Sequence, residues 1–203
     1  PPMSMFSKLV TRFKDLMVSE DGTIAGPPAA GEFVLGVNLG GEAVTIAGNV
    51  WQSYQAALTA GLMVPGAATT VTAMQPEPYA SANIRRMLNS VIYKPETLEI
   101  TQSLPNGTYD VYLWIMENFQ TNWHSLTVNL NGQTVATAIG NLPLAHWQRY
   151  GPYTTTVTDA SMDITISTGN PDIDAHIMGI SIYQQKAEGK RQKAEGKRQK
   201  AKG

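Results

Sequence analysis

Leu104-Pro105-Asn106-Gly107-Thr108-Tyr109-Asp110-Val111-Tyr112-Leu113-Trp114-Ile115 joins a turn to a strand. Asn-Gly is the residue pair that most readily takes the positive φ angles of a tight turn, and Pro105 restricts the entry. Beyond the turn the side chains alternate. Tyr109, Val111, Leu113 and Ile115 share one face, and Asp110, Tyr112 and Trp114 share the other. That pattern is a long β-strand with an aliphatic face turned to a core. Tyr112 and Trp114 stand on its polar parity. Trp114 is then either an exposed flat platform or covered by an N-terminal helix, and covering is the expectation.

The same texture continues on both sides. Phe33 to Leu39 is strand-like and closes on Gly40-Gly41, and Val44 to Ile46 adds a short strand. Leu58 to Tyr79 is rich in Ala, Gly, Thr and Pro and reads as long loops with short strands. Thr97 to Thr101 alternates around Leu98 and Ile100. Leu126, Val128 and Leu130 form a strand that pairs across Asn131-Gly132 with Val135 to Ile139. Tyr153 to Val157, Met162 to Ile166 and Ile177 to Tyr183 complete the series, with Gly169-Asn170-Pro171 as a break. About eight to ten short strands at this spacing indicate an all-β chain, an antiparallel β-sandwich or jelly roll.

The strand-rich body spans 32–183, and two segments of different character flank it. In 1–31, Phe6, Leu9, Val10, Phe13, Leu16 and Met17 recur at helical spacing, so Ser4 to Asp21 reads as an amphipathic helix. A Gly-Pro linker, Gly26 to Gly31, follows it. The helix packs on its own sandwich or docks on a partner. Its polar face is too weakly basic for a membrane-surface role. In 184–203 the heptamer Lys-Ala-Glu-Gly-Lys-Arg-Gln occurs twice in tandem, and this basic, low-complexity tail is expected to be disordered.

Charge and composition limit the function. The chain carries a net charge of −1, but the distribution is uneven. From Lys186 onward eight Lys/Arg face two Glu, whereas Glu32 to Tyr183 holds four Lys/Arg against eleven Asp/Glu. An acidic body so poor in cations lacks the clustered positive charge that nucleic acid requires. A neutral polar ligand suits it better. Cysteine is absent, which removes disulfides and thiolate metal sites. His124, His146 and His176 show no metal-ligand spacing. A structural calcium held by loop carboxylates such as Asp172, Asp174 or Glu42 is possible, but no calcium-loop motif supports it. No signal-peptide pattern and no apolar run near 18 residues occurs, so the sequence as it stands reads as soluble.

The order of features resembles the malectin-like carbohydrate-binding domains. Val37-Asn38-Leu39-Gly40-Gly41-Glu42-Ala43 is similar to that family's opening run. Leu104 to Leu113 resembles its Pro-Asn-Gly turn and central strand, with Glu117 following where the family has a Glu and then aromatics. Val128-Asn129-Leu130-Asn131-Gly132 is similar to its Val-Asn-Gly hairpin, and Ile177 to Tyr183 to its closing strand. The resemblance implies a β-sandwich that binds a polysaccharide or oligosaccharide without catalysis or cofactor. It also implies a secreted or cell-surface parent, with a neighbouring catalytic domain of the same chain as partner.

Sugar recognition needs aromatic rings against C–H faces and planar polar groups against hydroxyls. The resemblance places Glu117, Phe119 and Asp174 at the ligand, with Tyr93 the counterpart of the family's aromatic ahead of the turn. The dense run Glu-Asn-Phe-Gln-Thr-Asn-Trp-His adds Asn122 and Trp123. Trp51 and Tyr54 follow the first strand pair; Trp51 is equally suited to capping the core. No nucleophile elbow, P-loop, dinucleotide fingerprint or metalloprotease motif occurs. Glu117 and Asp174 are the one carboxylate pair that could converge as a glycosidase would need. The other reading is a structural or assembly module that uses the N-terminal helix as its contact.

Overall fold

The structure, a computed structural model, describes residues 31–186. The expected N-terminal helix, the linker up to residue 30 and the tail from residue 187 lie outside the described residues.

Among the described residues the chain is a β-sandwich whose strands pair antiparallel, with one parallel pair between the first and third strands. Three sheets are formed by β1 (Glu32–Asn38), β2 (Val44–Ile46), β3 (Asn49–Ser53), β4 (Ala68–Val71), β5 (Ser90–Pro95), β6 (Thr97–Ser103), β7 (Gly107–Met116), β8 (Leu126–Leu130), β9 (Gln133–Ile139), β10 (Trp147–Val157), β11 (Ser161–Ser167), β12 (Asp174–Ile177) and β13 (Gly179–Gln184). The large sheet runs β10-β7-β13-β1-β3-β2, the facing sheet β6-β11-β8-β9, and a small sheet β12-β5-β4. Two short helices accompany them, α1 (Tyr54–Thr59) and α2 (Ala82–Leu88).

The aliphatic parity of β7 packs as its alternation requires. Val111, Leu113 and Ile115 meet Leu98, Ile100, Val128, Ile164 and Ile166 between the two main sheets. The other parity is not a polar face. Trp114 and Met116 enter a second apolar cluster with Trp51, Met178 and the α2 residues Ile84, Met87 and Leu88. The whole strand is therefore buried from Tyr109 to Met116. Trp114 is covered, as expected, and among the described residues the cover comes from two other indoles, the helix read at the N-terminus lying outside them. Trp147 stacks on it at 5.7 Å with an 8° interplanar angle, and Trp51 meets it edge-on at 5.6 Å. Trp51 itself is 2% exposed. It lies flat on the large sheet where Gly36 and Gly179 leave room; a Cβ at Gly36 would sit 2.5 Å from the indole.

The Asn131-Gly132 loop is a two-residue hairpin between β8 and β9, with φ of 46° and 77°. Pro105-Asn106-Gly107 plays a different part, because β6 and β7 belong to different sheets. The turn carries the chain across the sandwich, and the Tyr109 hydroxyl donates to the Pro105 carbonyl at 2.7 Å to hold it. The closing run also changes sheets. β12 pairs with β5, β13 pairs with β1 and β7, and Met178 marks the switch. α2 has no counterpart among the sequence expectations, although Ile84, Met87 and Leu88 show helical spacing.

Candidate functional site

The sheet switch at Met178 leaves the small sheet projecting beside the loop that follows β7. Side chains two apart on each of its strands share a face. Thr70 on β4, Val91 and Tyr93 on β5, and Asp174 and His176 on β12 all line one cleft of about 350 Å³. The register puts His176 opposite Tyr93 and Thr70 opposite Val91. Asn118, Phe119, Trp123 and His124 close the other side, and Asp172 stands at the loop before β12. Asn89 fastens the approach to the cleft. Its side chain accepts from the Thr72 hydroxyl and the Met74 amide, both at 2.7 Å, and donates to the carbonyls of Met74 and Arg85.

Phe119 and Trp123 form an edge-to-face pair with centroids 5.2 Å apart. Phe119 is 58% exposed and Trp123 36%, which is unusual for large apolar rings in so well-packed a body. The loop that carries them is tied down from both ends. Asn122 takes a left-handed turn at φ 57°, and its amide donates to the Leu142 carbonyl at 2.8 Å. The Leu144 amide donates to the Thr121 hydroxyl at 3.1 Å.

Beneath the rings lies a buried polar stack. Glu117 is fully buried, and its carboxylate accepts from the Phe119 amide at 3.0 Å, the His124 amide at 3.1 Å and the His124 ring Nδ1 at 2.9 Å. Burial pushes its pKa up. The hydrogen bonds from His124 and Phe119 outweigh that and hold the carboxyl below its ordinary value. The His124 ring in turn stacks on the His176 ring at 3.6 Å, 19° from parallel. His176 is 2% exposed, and its Nε2 is buried with no hydrogen-bond partner. Burial, and after it the proximity of His124, hold its pKa well below the usual 6.5, so this ring stays neutral.

The sequence-derived candidates therefore separate into groups. Tyr93, Phe119, Trp123 and Asp174 come together on the cleft wall. Glu117 lies under the cleft and holds His124 and the Phe119 amide instead of facing a ligand. Asn122 shapes the loop and is absent from the cleft lining. Trp51 belongs to the second apolar cluster, and Tyr54 opens α1 and packs against the main core. Both stand away from the cleft lining: Trp51 is held within β3, and Tyr54 begins the helix capped by Ser53, whose hydroxyl accepts from the Ala56 amide. The lining residues that sequence reasoning left out of the ligand set are Thr70, Thr72, Val91, His124 and His176. Pairing of β4, β5 and β12 brings Thr70, Val91 and His176 here, and His124 arrives with the aromatic loop it ends. Among the described residues no group of three or more His, Cys, Asp or Glu is arranged to hold a metal ion.

No protein-family model matches the chain, and no curated protein matches it by sequence. Solved structures share its fold. A Bacteroides uniformis beta-glucuronidase aligns at TM-score 0.59 and 17% identity over 74% of this chain and 18% of that one. The plant receptor-like kinase FER aligns at TM-score 0.60 and 13% identity, over 74% of this chain and 41% of the other. The ANXUR2 extracellular domain from Arabidopsis thaliana aligns at TM-score 0.59 and 14% identity, over 77% and 49%. The chain thus spans less than half of each of these proteins. What they have in common with it is the sandwich.

Proposed function

We propose that this chain is a non-catalytic carbohydrate-binding module of the malectin-like kind, belonging to a secreted or cell-surface parent. The observation that carries the reading is the exposed Phe119–Trp123 pair standing over the same cleft as Tyr93, Asp172 and Asp174. Rings supply apolar area for a sugar's C–H face, and partly exposed carboxylates accept from its hydroxyls. The fold neighbours lend support, since one is a glucuronide-acting enzyme and another a receptor's extracellular domain.

Glycoside cleavage fits the site less well. Glu117 would have to serve as acid, base or nucleophile, yet it is sealed from solvent, saturated with N–H donors and held at a lowered pKa. A general acid needs the opposite shift. The role that suits the site is to hold a glycan for a neighbouring domain of the same parent.

A glycan array probed with the full chain, alongside Phe119→Ala and Trp123→Ala, tests the reading. Retention on at least one glycan, falling about tenfold or more in either variant, is the expected result; that scale is about 1.4 kcal/mol. An array blank for the parent chain overturns it.

A further inference from the structure

The cleft wall carries two acidic side chains and no cation. The four Lys and Arg of the body are Arg85, Arg86, Lys94 and Arg149, and none of them lines the cleft. Lys94 lies one residue from Tyr93, but strand alternation turns it to the opposite face, where it meets Glu99 at 3.8 Å. Arg85 donates to Gln75, and the Arg149 guanidinium lies over the Tyr112 ring at 4.6 Å. Nothing among the described residues donates to the carboxylates of Asp172 or Asp174.

The floor does not offset this charge. His176 stays neutral for the reasons given above, and its ring leaves a buried nitrogen without a partner at the edge of the same cleft. Glu117 beneath it is taken up by the His124 ring at 2.9 Å and two backbone amides, so the charge left for a ligand is that of Asp172 and Asp174. Two free carboxylates and a pair of exposed aromatic rings together make a cation-accepting surface. An ammonium group gains from the carboxylates through charge and from the ring faces through the quadrupole. A carboxylate or sulfate ligand would have to be desolvated against like charge.

Resting on the saccharide reading of this cleft, we infer that its ligand is an amino sugar carrying a free, protonated amine, and that uronate and sulfated glycans are rejected. Asp172 and Asp174 receive the ammonium, and Phe119 and Trp123 receive the sugar face.

The test compares three soluble probes on the full chain: oligomers of glucosamine, of N-acetylglucosamine and of galacturonate. Binding is read by titration calorimetry and by Trp fluorescence, at a pH below that of the sugar amine's own titration and at low and high salt. The expected result is binding of the glucosamine oligomer about five- to tenfold tighter than the N-acetylated one, the scale of two partly exposed ion pairs. The gap should shrink as salt screens it. It should vanish in the Asp172→Asn, Asp174→Asn double variant, which keeps the shape of both side chains and should melt with the parent. Galacturonate binding equal to or tighter than glucosamine overturns the inference. So does a preference that survives the double variant, which would assign it to the acidic body as a whole. Failure of all three probes on a chain that retains a neutral glycan on the array overturns the inference alone. Failure of the probes together with a blank array overturns the saccharide reading as well.

Discussion

Replacing His176 by Phe isolates what the buried imidazole does to acid stability. In the folded chain the ring is 2% exposed, stacks on His124 and leaves Nε2 without a partner, and burial first and His124 second hold its pKa well below 6.5. Unfolded, the same ring takes up a proton as pH falls through about 6.5. Below that value, and until the folded ring titrates, the unfolded state binds more protons, so folding stability falls with falling pH. One proton corresponds to at most about 1.4 kcal/mol per pH unit. For a domain of this size that is about 3–6 °C in Tm per unit. Glu117 acts in a separate window. Its folded pKa is lowered from 4.5, so the stability it contributes is complete above that value and is lost as pH drops through the lowered one. Thermal melts followed by near-UV circular dichroism, at fixed ionic strength between pH 8 and 4, resolve the two. The parent should lose Tm steadily below pH 6.5. His176→Phe, which keeps a ring against His124, should be flat until about pH 4.5 and then fall. A parent Tm that does not change between pH 6.5 and 5, or a Phe variant with the parent's slope, refutes the argument.

Two further outcomes follow from the packing beneath the site. Trp51→Ala removes the indole that fills the space over Gly36 and Gly179, and is expected to cost about 3–5 kcal/mol in urea denaturation; a loss below about 1 kcal/mol would show that the second apolar cluster collapses around it. Glu117→Gln keeps the shape but sets an amide where the His124 ring and two backbone N–H groups need an acceptor, and should cost about 2–3 kcal/mol at pH 7. That deficit should narrow at pH 4, below 4.5, where the unfolded parent's carboxylate takes up its proton ahead of the folded one, and an equal deficit at both values would contradict an ionised acceptor.

Much of the sandwich can be read from the chain because strand alternation and Asn-Gly turns are local. The hairpin at Asn131-Gly132 needs only its own residues to be read. Sheet membership is not local in this way. Pro105-Asn106-Gly107 has the same turn chemistry, yet it sends the chain to the opposite sheet. Alternation along β7 also marks two faces without saying what covers each. Trp114 sits on the parity that carries Asp110, and among the described residues it is Trp147, Trp51 and α2, arriving from elsewhere in the chain, that bury it.

The candidate site divides along the same line. Phe119 and Trp123 stand out because one short loop is crowded with aromatic and polar residues, and that crowding is visible in the sequence. His124 and His176 read as isolated histidines, since nothing local links them. Their contact depends on β12 leaving the large sheet at Met178 to pair with β5, which turns His176 towards Tyr93 and under the Glu117 loop. The same switch decides the role of Glu117. The family resemblance places it among ligand-facing acids, but with a histidine stack beside it the carboxylate is committed to the loop's own amides. The acids left for a ligand are those whose backbone the small sheet and its preceding loop project outward, Asp174 and Asp172. The charge of this cleft's lining is therefore set by where the chain changes sheets, more than by which carboxylates lie near the aromatic loop in sequence.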